Sequence, residues 1–179
     1  MSVFELRPAL VSDSAGIAAV HVETWQDAYR GLLPDGYLSA LNVADRTKTW
    51  IENLGSPRLK TKTFVALDAE NTVGFIRVGA CEDESESTST GEIWALYVHP
   101  TRQGMGIGSL LMAEGVRALR TVGFEEVVLW VLNDNLTARN WYESRGWGLN
   151  GKTKTEITGG FTSTLVGYSM PLSKEIGTT

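Results

Sequence analysis

The stretch Gln103-Gly104-Met105-Gly106-Ile107-Gly108-Ser109-Leu110-Leu111-Met112 decides the reading of this 179-residue chain. Glycines at 104, 106 and 108 permit a tight backbone turn and leave no side chain in the way of a ligand. The residues that follow have helical apolar spacing, which predicts Leu110, Leu111, Val116 and Leu119 on one face of a helix over 108–122. A glycine loop that runs into a helix N-terminus presents unpaired N–H groups at the positive end of the macrodipole, a site for phosphate. Two familiar phosphate motifs fit poorly. A Walker loop needs a lysine after its last glycine, and here Ser109 follows Gly108 directly. The dinucleotide fingerprint needs G-x-G-x-x-G straight after a strand, whereas this chain has G-x-G-x-G preceded by His99-Pro100-Thr101-Arg102.

The flanks are more telling. Glu92-Ile93-Trp94-Ala95-Leu96-Tyr97-Val98 upstream and Glu125-Glu126-Val127-Val128-Leu129-Trp130-Val131 downstream are apolar on both alternating faces, as in strands buried within a sheet. The unit is therefore strand, glycine loop, helix, strand, with the two strands parallel. Beyond it, Asn133-Asp134-Asn135 ends a strand, a short helix starts near Asn135, and Gly146 caps it before Trp147.

At this point the chain resembles the GNAT superfamily of acyl-CoA-dependent N-acetyltransferases. The family's loop pattern, Arg/Gln-x-x-Gly-x-Gly/Ala, is met by Gln103, Gly106 and Gly108. Its following element, Asn-x-x-Ala-x-x-x-Tyr-x-x-x-Gly-Phe, is met by Asn135, Ala138, Tyr142 and Gly146, with Trp147 in place of the usual Phe. The match is strong over residues 92–147 and weaker over the first 60 and the last 30, where members differ with their acceptors.

Composition agrees. A chain of this length fits one domain, residues 1–179, and buries about 70 % of its unfolded surface. Hydrophobic content of 42 % with 21 % charged residues is ordinary for a globular protein. A net charge of −5 argues against general nucleic-acid binding but not against coenzyme A, because a ring of N–H donors holds a pyrophosphate on an acidic protein. Cys81 is the only cysteine, and His21 and His99 are isolated, so no metal site is expected. No leader or membrane-spanning stretch is evident, which points to the cytoplasm.

The remaining pattern predicts a strand over Phe4–Arg7, then a helix from an N-cap at Ser12-Asp13 to about Tyr29. Short helices follow over Asp35–Leu41 and Val43–Leu54. Thr63–Asp68 and Val73–Cys81 form a hairpin about Glu70-Asn71, residues 82–91 an acidic loop, and strands 149–157 and 161–170 a second hairpin about Thr158-Gly159-Gly160. The fold class is thus α/β (α+β): a single-domain GNAT-like fold with a mixed, mostly antiparallel sheet, helices on both faces and a central parallel strand-loop-helix-strand unit.

The resemblance implies acetyl transfer from acetyl-CoA, as co-substrate and without a metal, to a primary amine. The acceptor is a small molecule or amino acid; a protein N-terminus or lysine, or a non-catalytic acyl-CoA-binding role, are the alternatives. It places the cofactor against Leu96, Val98, Gln103, Gly104, Met105, Gly106, Gly108, Ser109, Asn135, Ala138 and Tyr142, with the Val98 N–H polarising the thioester carbonyl. Leu96 and Val98 also read as plain core strand residues. Tyr142 is the expected general acid for the departing thiolate, a phenol being protonated at neutral pH, or else an aromatic packed beside Trp141. Asn135 either bonds the pantetheine arm or caps its helix, and Arg102 and Arg139 touch phosphates or lie in solvent. Glu92 is a candidate base if it points into the cleft with the side-chain parity of Val98; otherwise it is a solvated carboxylate. Trp25 and Tyr29 border the acceptor cleft, with a core role as the alternative for Trp25. The identity of the amine and the oligomeric state stay open, although such proteins are often homodimers.

Overall fold

The computed structural model describes residues 4–83 and 86–172. The glycine-loop helix, α4 (Ile107–Val122), links two strands, β4 (Thr90–Val98) and β5 (Glu126–Leu132), that pair in parallel. Before this unit come β1 (Glu5–Pro8), α1 (Ser14–Ala28), α2 (Asp35–Ala40), α3 (Val43–Gly55), β2 (Lys62–Asp68) and β3 (Asn71–Ala80). After it come α5 (Leu136–Glu143), β6 (Gly148–Thr158) and β7 (Phe161–Pro171). The seven strands form one sheet in the order β1-β2-β3-β4-β5-β7-β6, and every pairing other than β4·β5 is antiparallel.

Local chemistry sets the element ends. Gly106 (φ 85°) and Gly123 (φ 99°) bracket α4 in the left-handed region, which costs side-chain-bearing residues about 1–2 kcal/mol. Asn42 and Asn135 cap α3 and α5, accepting from Asp45 N–H (2.8 Å) and Ala138 N–H (3.1 Å). Asp13 behaves otherwise than expected: its carboxylate pairs with Arg7 (2.7 Å) and accepts from Leu10 N–H (2.7 Å), so it holds β1 and the preceding turn and does not cap α1 by its side chain. The first hairpin turns at Ala69-Glu70, one residue earlier than expected, with Ala69 at φ 53°. Glu84 and Ser85 of the acidic stretch lie outside the described residues, and its last two positions, Thr90 and Gly91, already belong to β4.

Both faces of the sheet are covered. Ile76, Val78, Leu111, Leu119, Val127 and Leu129 form the core beneath α4, and Ile17, Val20, Trp50, Val65 and Phe75 form the core beneath α1 and α3. Leu110, expected on the buried face of α4, is 49 % exposed; Ile107, Met112 and Gly115 share the buried stripe with Leu111, Val116 and Leu119.

A bulge in β4 positions the site. Arg77 pairs with Ala95 and Val78 with Ile93, so Trp94 is an extra residue. The inserted residue reverses the alternation: Ile93, Leu96 and Val98 pack on the α4 side, whereas Ala95 and Tyr97 pack on the α1 side. Glu92, next to Ile93, therefore projects toward α1. The expectation that Glu92 and Val98 share a face is corrected, because a period-2 pattern counted across a bulge changes sign.

Candidate functional site

Strands β4 and β5 are paired only from Thr90↔Glu126 to Ile93↔Leu129. Past that point they diverge, and a cavity of about 740 Å³ opens between them and runs under the N-terminus of α4 and along α5. His99 N–H donates to Val73 O at 2.9 Å, so His99–Val73 is a hydrogen-bonded pair and Val98–Gly74 the alternate pair. By the antiparallel alternation, the Val98 and Leu96 N–H groups turn away from β3 and into the gap. The Val98 carbonyl is occupied by Thr24 Oγ1 and Gln103 Nε2, each at 3.3 Å.

At the mouth of this cavity the N–H groups of Gly104, Met105, Gly106, Ile107 and Gly108 find no acceptor among the described residues. A Cβ built on Gly104 or Gly106 meets nothing within 4 Å, so the turn is open toward the cavity and not packed against protein. Gly104, Gly106, Gly108, Ser109 and Gln103 line the wall, whereas Met105 is 48 % exposed and does not. The loop thus offers convergent donors, an arrangement suited to a pyrophosphate.

Helix α5 supplies the far wall through Asn135, Ala138, Trp141 and Tyr142. Asn135 spends its Oδ1 on the helix cap, leaving its amide N–H groups free. The Tyr142 ring lies among Trp141 (5.1 Å), Trp147 (6.0 Å) and Tyr168 (6.2 Å), and its hydroxyl makes no hydrogen bond to the protein. Burial, with a smaller contribution from Tyr97, pushes its phenol above the usual value of 10. Arg102 is on the wall but paired with Asp68 (3.2 Å). Arg139 is not on the wall: it is turned to the Tyr168 hydroxyl (3.1 Å) and to Asn133, so a phosphate role for it is set aside.

A second cavity, of about 300 Å³, lies toward α1 and β6, and it brings Trp25, Tyr29 and Glu92 together. Tyr29, Ile93, Trp94, Tyr97 and Trp130 line both cavities, so the two meet where β4 and β5 part. Burial and the facing Tyr97 hydroxyl hold the Tyr29 phenol well above its usual value, and burial raises Tyr97 as well. Glu92 is 7 % exposed and accepts from Glu82 N–H at 3.3 Å; it is not a solvated carboxylate.

Several wall residues were not anticipated. Tyr97 and Trp130 were legible only as strand residues; Tyr97 stands between the two singled-out residues Leu96 and Val98, whereas Trp130 has no such neighbour. Lys154 and Glu156 come from a distant strand with no motif. Arg145 stacks on Trp141 (3.9 Å), donates to Ser109 Oγ (3.2 Å) and has no carboxylate within 4.0 Å among the described residues. No group of His, Cys, Asp and Glu suited to a metal ion occurs among the described residues, nor is any of their helices long and apolar enough to cross a membrane.

Comparison with known proteins agrees with this geometry. The family described as the acetyltransferase (GNAT) family matches residues 22–147. An uncharacterized N-acetyltransferase of Bacillus subtilis, YuaI, is 34 % identical over 131 residues, covering 73 % of this chain and 72 % of its own. Among solved structures, an N-acetyltransferase from Staphylococcus aureus superposes with a TM-score of 0.74 at 20 % identity, covering 96 % of this chain and 100 % of its own. The PaiA N-acetyltransferase of Thermoplasma acidophilum, solved in complex with coenzyme A, superposes with a TM-score of 0.67 at 19 % identity, covering 92 % and 98 %.

Proposed function

The chain belongs to the acetyltransferase (GNAT) family, and from that premise we propose that it moves an acetyl group from acetyl-CoA to the primary amine of a small molecule or amino acid, by direct attack in a ternary complex. The observation that carries this reading is the meeting of two cavities at the split between β4 and β5. One is lined by open N–H donors and the other by aromatic and acidic side chains, so two substrates reach a common point from different sides.

The open amides of 104–108 receive the pyrophosphate of acetyl-CoA, and Arg145 meets an outer phosphate. The pantetheine arm lies along the unpaired edge of β4, against Leu96 and the free Asn135 amide. At its end the Val98 N–H faces the thioester oxygen, where one aimed donor lowers the barrier by about 3 kcal/mol. The neutral amine attacks the carbonyl carbon; the C–N bond forms, the C–S bond breaks, and the sulfur leaves as thiolate. Tyr142, kept protonated by its raised pKa, gives the thiolate its proton, and the proton that the attacking nitrogen sheds on becoming an amide restores the phenol. Glu92, in the second cavity, takes the proton that the ammonium must lose. The test is thiol release from acetyl-CoA across a panel of amines. Release that depends on the amine is the expected result; a protein that binds acetyl-CoA yet releases no thiol with any amine refutes the reading.

A further inference from the structure

Among the described residues, the charged side chains on the wall of the smaller cavity are the carboxylates of Glu82, Glu92 and Glu156 and the ammonium of Lys154. Glu82 is paired with Arg58. Lys154 and Glu156 are both exposed and stand two positions apart on one face of β6, so their opposite charges offset one another in solvent. Glu92 is different. It is buried, accepts one hydrogen bond from Glu82 N–H, and has no Lys, Arg or His within 4.0 Å among the described residues. Its other neighbour, the Cys81 thiol, is neutral, its pKa pushed up to about 11 chiefly by burial. Arg77, 5.7 Å from the centre of the Trp94 ring, does not line the cavity.

One buried carboxylate thus stands without a counter-charge in a space otherwise walled by the rings of Trp25, Tyr29, Trp94, Tyr97 and Trp130. A cation is favoured there twice, by the carboxylate and by the ring faces. An anion is disfavoured. A ligand carboxylate would lie among Glu82, Glu92 and Glu156, and the one ammonium on the wall is set 4.5 Å from the centre of the Trp130 ring and beside Glu156. The field of Glu156 reaches the interior: the phenols of Tyr29 and Tyr97, raised mainly by burial, are raised further by this carboxylate. The Ser163 hydroxyl and the Trp94 indole N–H, both without a partner in the protein, suit a neutral oxygen and supply no charge. At about 300 Å³ the cavity is at the small end of ligand-sized clefts.

We propose that the acceptor is a small monoamine with an uncharged aromatic or branched aliphatic body, its ammonium facing Glu92 and its body among the rings, and that the wall rejects amines that carry a carboxylate. This rests on the N-acetyltransferase reading above and narrows its acceptor from small molecules and amino acids to the former. Glu92 then acts twice in succession, holding the ammonium and taking its proton. A polyamine gains little, because a second cation brought to Glu156 meets Lys154 as well. Selection of this kind works by repulsion of the competitor as much as by attraction of the substrate.

The experiment has two parts. With wild-type enzyme, kcat/KM for thiol release is compared in matched pairs: phenethylamine and phenylalanine, tryptamine and tryptophan, 3-methylbutylamine and leucine. Phenylalaninol, which carries a neutral hydroxymethyl group where phenylalanine has its carboxylate, separates charge from size, and spermidine is a further arm. At least one amine is expected to exceed its amino acid by about 30-fold or more, the scale for setting a charge among like charges. Phenylalaninol should stay within about fivefold of phenethylamine. In the second part, the Kd of the best amine is measured by calorimetry on protein loaded with coenzyme A, where no turnover occurs. It should rise about tenfold or more in Glu92→Gln, with the Kd of coenzyme A unchanged; a loss of the proton acceptor alone would lower kcat and leave the amine Kd as it was. Ratios below about fivefold in every pair overturn the proposal while leaving N-acetyl transfer intact, as does preference for spermidine. Rejection of phenylalaninol together with phenylalanine overturns it by showing that the wall reads size. An amine Kd unchanged in Glu92→Gln overturns it too. No turnover of any arm, by protein that still binds acetyl-CoA, overturns the transferase reading itself and this inference with it.

Discussion

Replacing Tyr142 by Phe isolates one oxygen atom. The hydroxyl has no hydrogen-bond partner in the protein, so its removal strands no buried group, and the ring contacts with Trp141, Trp147 and Tyr168 persist. Stability should therefore change by no more than about 0.5 kcal/mol, and acetyl-CoA affinity by no more than about threefold. The chemical step is different. If the phenol protonates the departing thiolate, its loss should slow that step by about 100-fold, or about 2.7 kcal/mol at 1.36 kcal/mol per tenfold. The loss should persist at saturating amine, since the defect is not one of acceptor capture. Because burial raises the phenol above 10, the acid form is fully present from pH 6 to 9, and any decline from its ionisation begins only above pH 10. The assay is a single-turnover measurement of thiol release, which is insensitive to slow product release. A Tyr142→Phe protein with the wild-type single-turnover rate refutes the assignment, making the tyrosine a packing residue.

Gly106→Val puts a branched side chain at φ 85° on the open side of the loop, where its Cβ meets no protein atom. Acetyl-CoA affinity by calorimetry should fall more than about tenfold, against about 1–2 kcal/mol of folding stability; unchanged affinity in folded protein removes the loop from the phosphate site. Arg145→Ala removes a guanidinium held on Trp141 and Ser109 without a counter-anion. The Kd for acetyl-CoA should rise about tenfold and become less salt-dependent, while the KM for the amine stays constant. His21 is partly buried among Trp25, Trp50 and Tyr97, and that burial lowers its pKa to about 3. Between pH 6.5 and 3 the unfolded state binds the proton and the folded state does not, so this group's contribution is full above pH 6.5 and shrinks as pH falls. The loss is about 1.4 kcal/mol per pH unit. Unfolding free energies from urea titrations at pH 7 and pH 5 should differ by about 2 kcal/mol on account of this residue, and that share of the difference should be lost in His21→Phe.

Sequence by itself determined what short windows encode. Positive-φ turns need glycine, a 3.6-residue apolar stripe needs a helix, and two apolar runs around them need a buried parallel pair; these interactions span a dozen residues or fewer, so Gly106, α4, β4 and β5 were readable from residues 92–131 alone. Asn135, Ala138 and Tyr142 came instead from the resemblance to the family's second motif, and they lie along one wall of the larger cavity, Asn135 as the N-cap of α5 and the other two on that helix. Tertiary structure decided the rest. The Trp94 bulge depends on how β3 and β4 register along their whole length, and it sent Glu92 to the face opposite Val98. Exposure of Leu110 depends on which side of α4 meets the sheet. The parting of β4 and β5 after Ile93 created the cavities, and no single strand carries a mark of that divergence. The second cavity joins α1, β4, β5, β6 and β7, drawing Trp25 and Lys154 together across 129 positions of sequence. Contacts of that span are set by packing of the whole sheet, so the shared wall of Trp25, Glu92, Trp130 and Lys154 became apparent only in the folded chain.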